Sequence, residues 1–290
     1  MTRKLYDCFL FFNELDMLEL RLRELESVVD HFVLVESVWT FQGKRKPLIF
    51  DENRARFARW ADKIIHVAAR EDIGPPAPGD RREPWWRREH GQRDQMIRGL
   101  SGAQPRDLVM VSDVDEIPRA ATLRRVAQSF KNGEAYILLM HYHCYALNRR
   151  VDGEEWVGPR IVERRSFTGG QRIKGLKHRA SSRWRALGLA RLGVRHRNWM
   201  RAGVLTAPIA VPDAGWHFTS VGDYARFREK LEAFSHPEIM DEERYRSEAA
   251  FARAMEKLTD VPLSELPECV AREDAFRAML APPKRAAPST

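Results

Sequence analysis

Four short apolar runs in the first half of the chain, separated by stretches with helical spacing, constrain the fold more than any other feature. Tyr6–Phe12, Phe32–Glu36, Ile64–Ala68 and Leu108–Ser112 all have strand length. Between the first two, Leu15, Leu18, Leu22, Leu25 and Val29 recur at steps of three and four, which is one face of a helix. Phe57, Trp60 and Ile64 mark a short helix before the third run. Residues 85–100 read as a helix with Pro84 at its start, where a missing N–H costs nothing. Leu108–Ser112 (LVMVS) is apolar enough to be covered on both faces. Strands joined by crossover helices pair in parallel. The expected fold is therefore α/β, with a mostly parallel, Rossmann-like sheet flanked by helices.

The second half changes character. Residues 135–147 and 155–166 read as antiparallel strands about Asp152-Gly153, a dipeptide suited to a tight hairpin. Residues 204–211 and Trp216-His217-Phe218 follow as strands. Tyr224, Phe227, Leu231 and Phe234 mark a helix, and residues 242–258 another. With 43% hydrophobic residues the chain can fill one core. We expect a single domain over residues 1–280, with a nucleotide-binding half (1–134) and a smaller, antiparallel acceptor-side half (135–280). Residues 74–84 (GPPAPGDRREP) are expected to be a loop, and 281–290 a disordered tail.

No run approaches the roughly 20 apolar residues of a membrane helix. Nor is there a basic, apolar, small-residue leader, so the expected location is the cytoplasm. Cys8, Cys144 and Cys269 are too far apart for a metal motif and odd in number, which suggests free thiols. The net charge of +8 is concentrated in residues 172–201, which hold ten Lys/Arg and no Asp or Glu. Such a segment suits an anionic acceptor or an anionic membrane face, with the protein peripheral to the inner leaflet; a merely solvated loop is the plainer reading.

The sharpest chemical signal is Ser112-Asp113-Val114-Asp115-Glu116, three carboxylates directly after an apolar strand. Ligands collect at the carboxyl ends of strands in an open α/β sheet. Clustered carboxylates need a cation, and Mn²⁺ or Mg²⁺ takes oxygen ligands and bridges diphosphates. The same acids could instead cap the helix that begins near Pro118. Asn13-Glu14 and Glu36 end the first two strands, where they would meet a base or a ribose, or serve as caps. On the helix after Pro84, Arg93 suits a diphosphate and Asp94 a sugar hydroxyl, unless Arg93 only pairs with Glu89 one turn away. His217 is a competent Mn²⁺ ligand from the second half, and Trp216 would stack on a sugar ring or fill the core.

These segments resemble glycosyltransferase family 17. The resemblance is carried by Tyr6-Asp7-Cys8-Phe9 through Phe12-Asn13-Glu14, Phe32–Glu36, Phe41-Gln42-Gly43-Lys44 and Lys46-Pro47-Leu48. It continues through Arg88-Glu89, Gln92-Arg93-Asp94, Met96–Leu100, Ser112–Pro118 and Gly215-Trp216-His217-Phe218. It implies a GT-A fold, a UDP-sugar donor (UDP-N-acetylglucosamine in known members), a divalent metal and inversion at the anomeric carbon. Asp113 and Asp115 match the metal and nucleotide motif, and His217 the late metal-ligand histidine. Relative to animal members the chain is expected to do without a membrane anchor and stem. Its Arg-rich stretch from Ser166 to Val211 has no clear counterpart, so a glycan or lipid-linked saccharide is expected as acceptor without its identity.

The implied reaction is a single displacement through an oxocarbenium-like state, with Mn²⁺ (or Mg²⁺) and Arg93 offsetting charge on the leaving diphosphate. A carboxylate must take the acceptor proton. Glu155, Glu163 and Asp213 are candidates, with Asp152 and Glu154 also available and Glu116 the alternative beside the metal pair. Two other classes compete. A sugar-nucleotide nucleotidyltransferase would need a glycine-rich loop after the first strand, where this chain has Phe11-Phe12-Asn13-Glu14. A non-catalytic protein binding nucleic acid or an anionic surface would use the basic segment, but that segment has only Trp184 and Trp199 as aromatics, and no specific nucleic acid is expected.

Overall fold

A computed structural model describes residues 3–74, 82–179, 189–202, 207–233 and 246–284. The strands are β1 (Leu5–Phe11), β2 (His31–Ser37), β3 (Ile64–Ala69), β4 (Leu108–Asp113), β5 (Glu116–Pro118), β6 (Ala135–Cys144), β7 (Arg149–Glu163), β8 (Ile209–Val211), β9 (Gly215–Thr219) and β10 (Thr259–Asp260). The α-helices are α1 (Leu15–Leu25), α2 (Ile49–Glu52), α3 (Pro84–Asp94), α4 (Ala120–Ser129), α5 (Gly170–Lys174), α6 (Ala190–Ala202), α7 (Tyr224–Ala233), α8 (Glu248–Glu256) and α9 (Glu268–Arg272). The strands form one sheet in the order β3-β2-β1-β4-β7-β6-β9-β5, with β8 beside β6 and β10 beside β7.

The first four strands of that path pair in parallel, as the strand-helix alternation requires. β7 then runs antiparallel to both β4 and β6, so the sheet reverses at the β4/β7 seam. On one face, Leu18, Leu22 and Leu25 of α1 pack with Phe9, Phe11, Phe32 and Leu34. On the other, Met96, Leu100, Ile173 and Leu176 cover Cys8, Val33, Val111 and Ile137. Each of these side chains contributes about 1.5–3 kcal/mol on burial. Both faces of the parallel strands are thus closed, which leaves their carboxyl ends as the open edge.

Register aligns those ends. Leu10 of β1 lies beside Asp113 of β4, and Phe11 beside Glu36 of β2. From the far half, β9 brings His217 alongside Tyr142 of β6 and Glu116 of β5. Gly215 makes that approach possible. Its φ is +153°, and a Cβ there would lie 2.3 Å from the Ile117 carbonyl oxygen.

Several expectations need correction. β6 and β7 turn at residues 145–148 rather than at Asp152-Gly153. His141 pairs with Glu155 and His143 with Arg150, so residues 151–154 form a bulge opposite Tyr142. A glycine at φ +76° serves a bulge as well as a turn. Ala281–Lys284, expected in a disordered tail, are bound instead: Asn148 bonds both the N–H and the carbonyl of Ala281, and Lys284 N–H donates to Asp260. Residues 285–290 lie outside the described residues, as do 75–81 of the proline-rich loop, 204–206 of the strand expected at 204–211, Phe234, and 242–245 of the helix expected over 242–258. The basic segment is no appendage where it is described, because Ile173 and Leu176 are fully buried in the core. Residues 180–188 within it lie outside the described residues. The three cysteines are free thiols. No helix of the described residues is long and apolar enough to cross a membrane.

Candidate active site

The acidic turn between β4 and β5 is fixed from beneath by Arg21. This α1 side chain is fully buried and meets Asp7 of β1 through two bonds, Nη2 to Oδ1 at 2.6 Å and Nε to Oδ2 at 2.8 Å. It also donates to Ser112 Oγ and to the carbonyls of Asp113, Val114 and Glu116, at 2.6–3.2 Å. One guanidinium therefore satisfies backbone carbonyls that a strand end leaves without ladder partners.

Above this floor every acid of the turn faces a cation. Asp113 accepts from Arg93 at 2.9 Å and lies 3.0 Å from Lys174 of α5. Asp115 accepts from Lys230 of α7 at 2.9 Å, and its other oxygen is 3.6 Å from His217 Nε2. Burial alone would raise both carboxyls. Lys174 and Arg93 beside Asp113, and Lys230 and His217 beside Asp115, instead hold them well below the usual carboxylate range. Burial likewise opposes the charge on Lys230, yet Asp115 and Glu14 hold its pKa above the ordinary lysine value. Asp113, Asp115 and Lys230 therefore stay ionised at neutral pH.

Asp115 and His217 are the pair best placed to share a metal ion, since His217 Nδ1 has no hydrogen-bond partner among the described residues. No group of three or more metal-binding side chains converges among the described residues. An ion here would take its other ligands from substrate and water, as Mg²⁺ and similar hard cations do when they bind diphosphates. The donor set fits such an ion, with Lys230 competing for Asp115.

These residues form one end of a cavity of about 340 Å³. Glu14, Arg93, Asp113, Asp115 and His217 line it together with Lys230, Tyr142 and Trp156. Glu14 accepts from the N–H groups of Phe12 and Asn13 and lies 3.3 Å from Lys230. Asn13 lines a smaller adjoining cavity.

Other candidates lie elsewhere. Trp216 is 2% exposed, its Nε1–H donates to Glu265 O, and Arg119 covers its ring, so no face is left for a sugar. Trp156 and Tyr142 are among the aromatic side chains that line the cavity, and their rings stack with the His217 imidazole at 4.0 and 5.4 Å. Glu36 is fully buried and ties down the start of α2 through Ile49 N–H, Phe50 N–H and Lys46, rather than reaching the cavity. Asp94 accepts from Gln171 N–H, so it caps α5. Glu116 is fully buried and accepts from Trp156 Nε1–H, Lys174 and Asp113 N–H, which makes it a brace rather than a proton acceptor.

Among the candidate bases, Glu163 pairs with Leu108 at the opposite end of β4 and binds Gly133 N–H and Arg165. Glu155 is paired with His141 across the strands, and Asp213 accepts from His141 Nε2–H and Arg119. Side chains alternate along a strand, so the His141 side is turned away from the cavity that Tyr142 lines.

Composition and periodicity pointed to none of Arg21, Trp156, Tyr142, Lys174 and Lys230. For Arg21 a signal existed, because it interrupts the apolar stripe of α1 between Leu18 and Leu25 while Asp7 interrupts an apolar strand.

A family model for glycosyltransferase family 17 matches residues 1–168. The human β-1,4-mannosyl-glycoprotein 4-β-N-acetylglucosaminyltransferase is 35% identical over 112 residues, 37% of this chain, and the rat protein likewise. The matched stretch spans only 20% of either relative's length. Among solved structures, a 4-diphosphocytidyl-2C-methyl-D-erythritol synthase is similar at 13% identity and a TM-score of 0.42, over 73% of this chain and 90% of that one. A Mycobacterium tuberculosis glucosyl-3-phosphoglycerate synthase, in complex with Mn²⁺, UDP and phosphoglyceric acid, is similar at 13% identity and a TM-score of 0.38, over 74% of this chain and 69% of that one. Both structural likenesses are weak, whereas the family match covers more than half of the sequence, including β1–β7 with Arg93, Asp113 and Asp115. The chain belongs to glycosyltransferase family 17.

Proposed function

We propose that this chain is a GT-A-type inverting enzyme that moves N-acetylglucosamine from UDP-N-acetylglucosamine to a glycan hydroxyl with the aid of Mn²⁺ or Mg²⁺. One arrangement carries the reading: Asp115 with His217, beside Arg93 on Asp113, at the carboxyl ends of parallel strands on the wall of the cavity. The ion, held by Asp115 and His217, would neutralise charge developing on the leaving diphosphate. Arg93, Lys174 and Lys230 add three cations to the same end of the site, so negative charge gained as the bond to phosphate breaks meets fixed positive charge. Trp156 and Tyr142 offer the flat apolar surface that suits a sugar ring.

The acceptor hydroxyl must lose its proton as it attacks. Glu14, Glu89, Asp113 and Asp115 on the cavity wall already hold cations. A second groove of about 790 Å³ shares Tyr142, Cys144 and Tyr145 with the first and is lined by Glu154, Arg253 and Lys257. Glu154 sits on the β7 bulge, and no hydrogen-bond or ionic partner engages it among the described residues. We assign the acceptor to this groove and the proton to Glu154. A nucleotidyltransferase reading has less support, because the N–H groups of Phe12 and Asn13 that would cradle a triphosphate already bind the Glu14 carboxylate.

The test is UDP release from a panel of nucleotide sugars with and without Mn²⁺, together with calorimetry of UDP binding. UDP-N-acetylglucosamine should be turned over only with the metal. Asp115→Asn should lose Mn²⁺-dependent UDP binding while keeping a cooperative melt. Metal-independent release, or unchanged binding in the variant, would overturn the reading.

A further inference from the structure

We infer that α6 seats the protein on the surface of an anionic lipid bilayer. This helix is anchored along one side only. Val194 and Asn198 are buried, and the Asn198 amide bonds both the N–H and the carbonyl of Lys177. The other side presents Leu189, at the residue before the helix, with Leu192, Trp199 and Met200, exposed by 46, 53, 51 and 65%. These are four of the seven large hydrophobic side chains exposed to this degree among the described residues, so the apolar surface is concentrated here.

Their spacings of three, seven and eleven residues return to one helical stripe, while Val194 and Asn198 fall on the opposite side. Exposed Arg195 and half-buried Arg197 border the stripe on its two sides, and exposed His196 falls within it. A monomer in water rarely leaves such a stripe open. A helix lying in a bilayer interface has this composition: modest overall hydrophobicity, Leu and Trp on one side, Arg along the edge. A protein partner would also accept the apolar side. However, α6 itself carries Arg191, Arg195, Arg197 and Arg201 and not one carboxylate, which complements an extended negative surface better than a mixed one.

The anchored side of α6 grips the segment that also serves the candidate active site. Asn198 grips Lys177, three residues beyond the Lys174 that holds Asp113 and Glu116. The membrane inference stands apart from the glycosyl-transfer reading, since vesicle binding needs no nucleotide sugar.

Sedimentation with vesicles of phosphatidylcholine, with and without phosphatidylglycerol, tests it on the full chain. The wild type should bind the phosphatidylglycerol vesicles and bind plain phosphatidylcholine weakly. The triple variant Leu192→Ser, Trp199→Ser, Met200→Ser should lose about tenfold in vesicle affinity with its melting unchanged, because these side chains support no core. Arg195→Gln with Arg197→Gln should clearly weaken the preference for anionic lipid. Should the triple variant not fold, Trp199→Ser alone, expected to lose about threefold, decides the matter. Equal binding of the wild type to both vesicles, or full binding by the apolar variants, overturns the inference. So does a wild-type dimer that the triple variant separates, for the stripe would then be a contact between copies.

Discussion

Arg21 and Asp7 form a two-point ion pair, 2.6 and 2.8 Å, with neither side chain exposed at all. The pair joins α1 to β1, and the rest of the Arg21 guanidinium holds the carbonyls under Asp113–Glu116. Arg21→Met leaves the Asp7 carboxylate buried without a counter-charge, at a cost of about 3–5 kcal/mol. The variant should show that loss in urea unfolding and should bind UDP more weakly. Arg21→Met with Asp7→Leu removes both charges and should recover much of the stability but not the UDP affinity, because the acidic turn stays unpinned. Stability that stays lost in the double variant would argue against an unpaired carboxylate as the cause.

Lys230 and a divalent cation both seek Asp115. The ammonium sits on one oxygen at 2.9 Å and 3.3 Å from Glu14. Lys230→Gln removes that charge and leaves Asp115 and Glu14 to a cation. Mn²⁺ should then bind at least about tenfold tighter without nucleotide, since one pKa unit of charge coupling corresponds to about 1.4 kcal/mol. Turnover should fall at the same time, because a cation facing the leaving group is gone. Unchanged Mn²⁺ affinity by calorimetry would place the metal away from Asp115.

Much of this frame is legible in the sequence because it rests on local patterns. Apolar runs and three-four spacing predict β1–β4 and α1, and acids after an apolar strand predict a charged strand end. The residues themselves mark His217 as a metal ligand from the second half, the family resemblance agrees, and the structure sets it beside Asp115. What was not legible depends on pairing. Trp216 and His217 are neighbours on one strand and cannot face the same way. The β9 register turns His217 to the cavity and Trp216 into the core, and half-buried Trp156 from a different strand brings a ring to the cavity wall. Strand direction removed Glu163, since antiparallel β7 carries it to the far end of β4. Lys174 comes from the basic segment and Lys230 from the polar side of an amphipathic helix, and only tertiary packing turns them onto Asp113 and Asp115.

His143 makes stability depend on pH. Burial lowers its pKa to about 4, although its Nδ1–H donates to the Leu147 carbonyl. In the unfolded chain a histidine titrates near 6.5. As the pH falls between those values the unfolded state takes up a proton that the folded state refuses, so stability is intact above about 6.5 and is lost progressively toward 4. The loss from this residue is at most about 3 kcal/mol. Wild-type melting temperature should therefore fall between pH 6.5 and 4.5, and His143→Gln should flatten that slope. A parallel slope in the variant would assign the effect to other groups.

Glu154 provides the sharpest test of the proposed chemistry. The bulge opposite Tyr142 sets it in the groove that shares a wall with the donor cavity. The other acids are committed: Asp113, Asp115 and Glu14 to lysines or Arg93, Glu116 to Trp156 and Lys174, Asp213 to His141 and Arg119. In the proposed step the acceptor oxygen bonds to the anomeric carbon, the bond from that carbon to the diphosphate oxygen breaks, and Glu154 receives the hydroxyl proton. General-base assistance contributes about 10²–10⁴-fold, so Glu154→Gln should lower kcat by that order in acceptor-dependent UDP release. UDP affinity should stay at the wild-type level, because no donor-site cation touches this residue. The acid limb of the kcat profile should also disappear, as the amide has no proton to lose, and Glu154→Asp should restore part of the rate. If instead Glu154→Gln keeps the wild-type rate and acid limb, the proton goes elsewhere. A variant that loses UDP binding along with turnover would show that Glu154 supports the donor site.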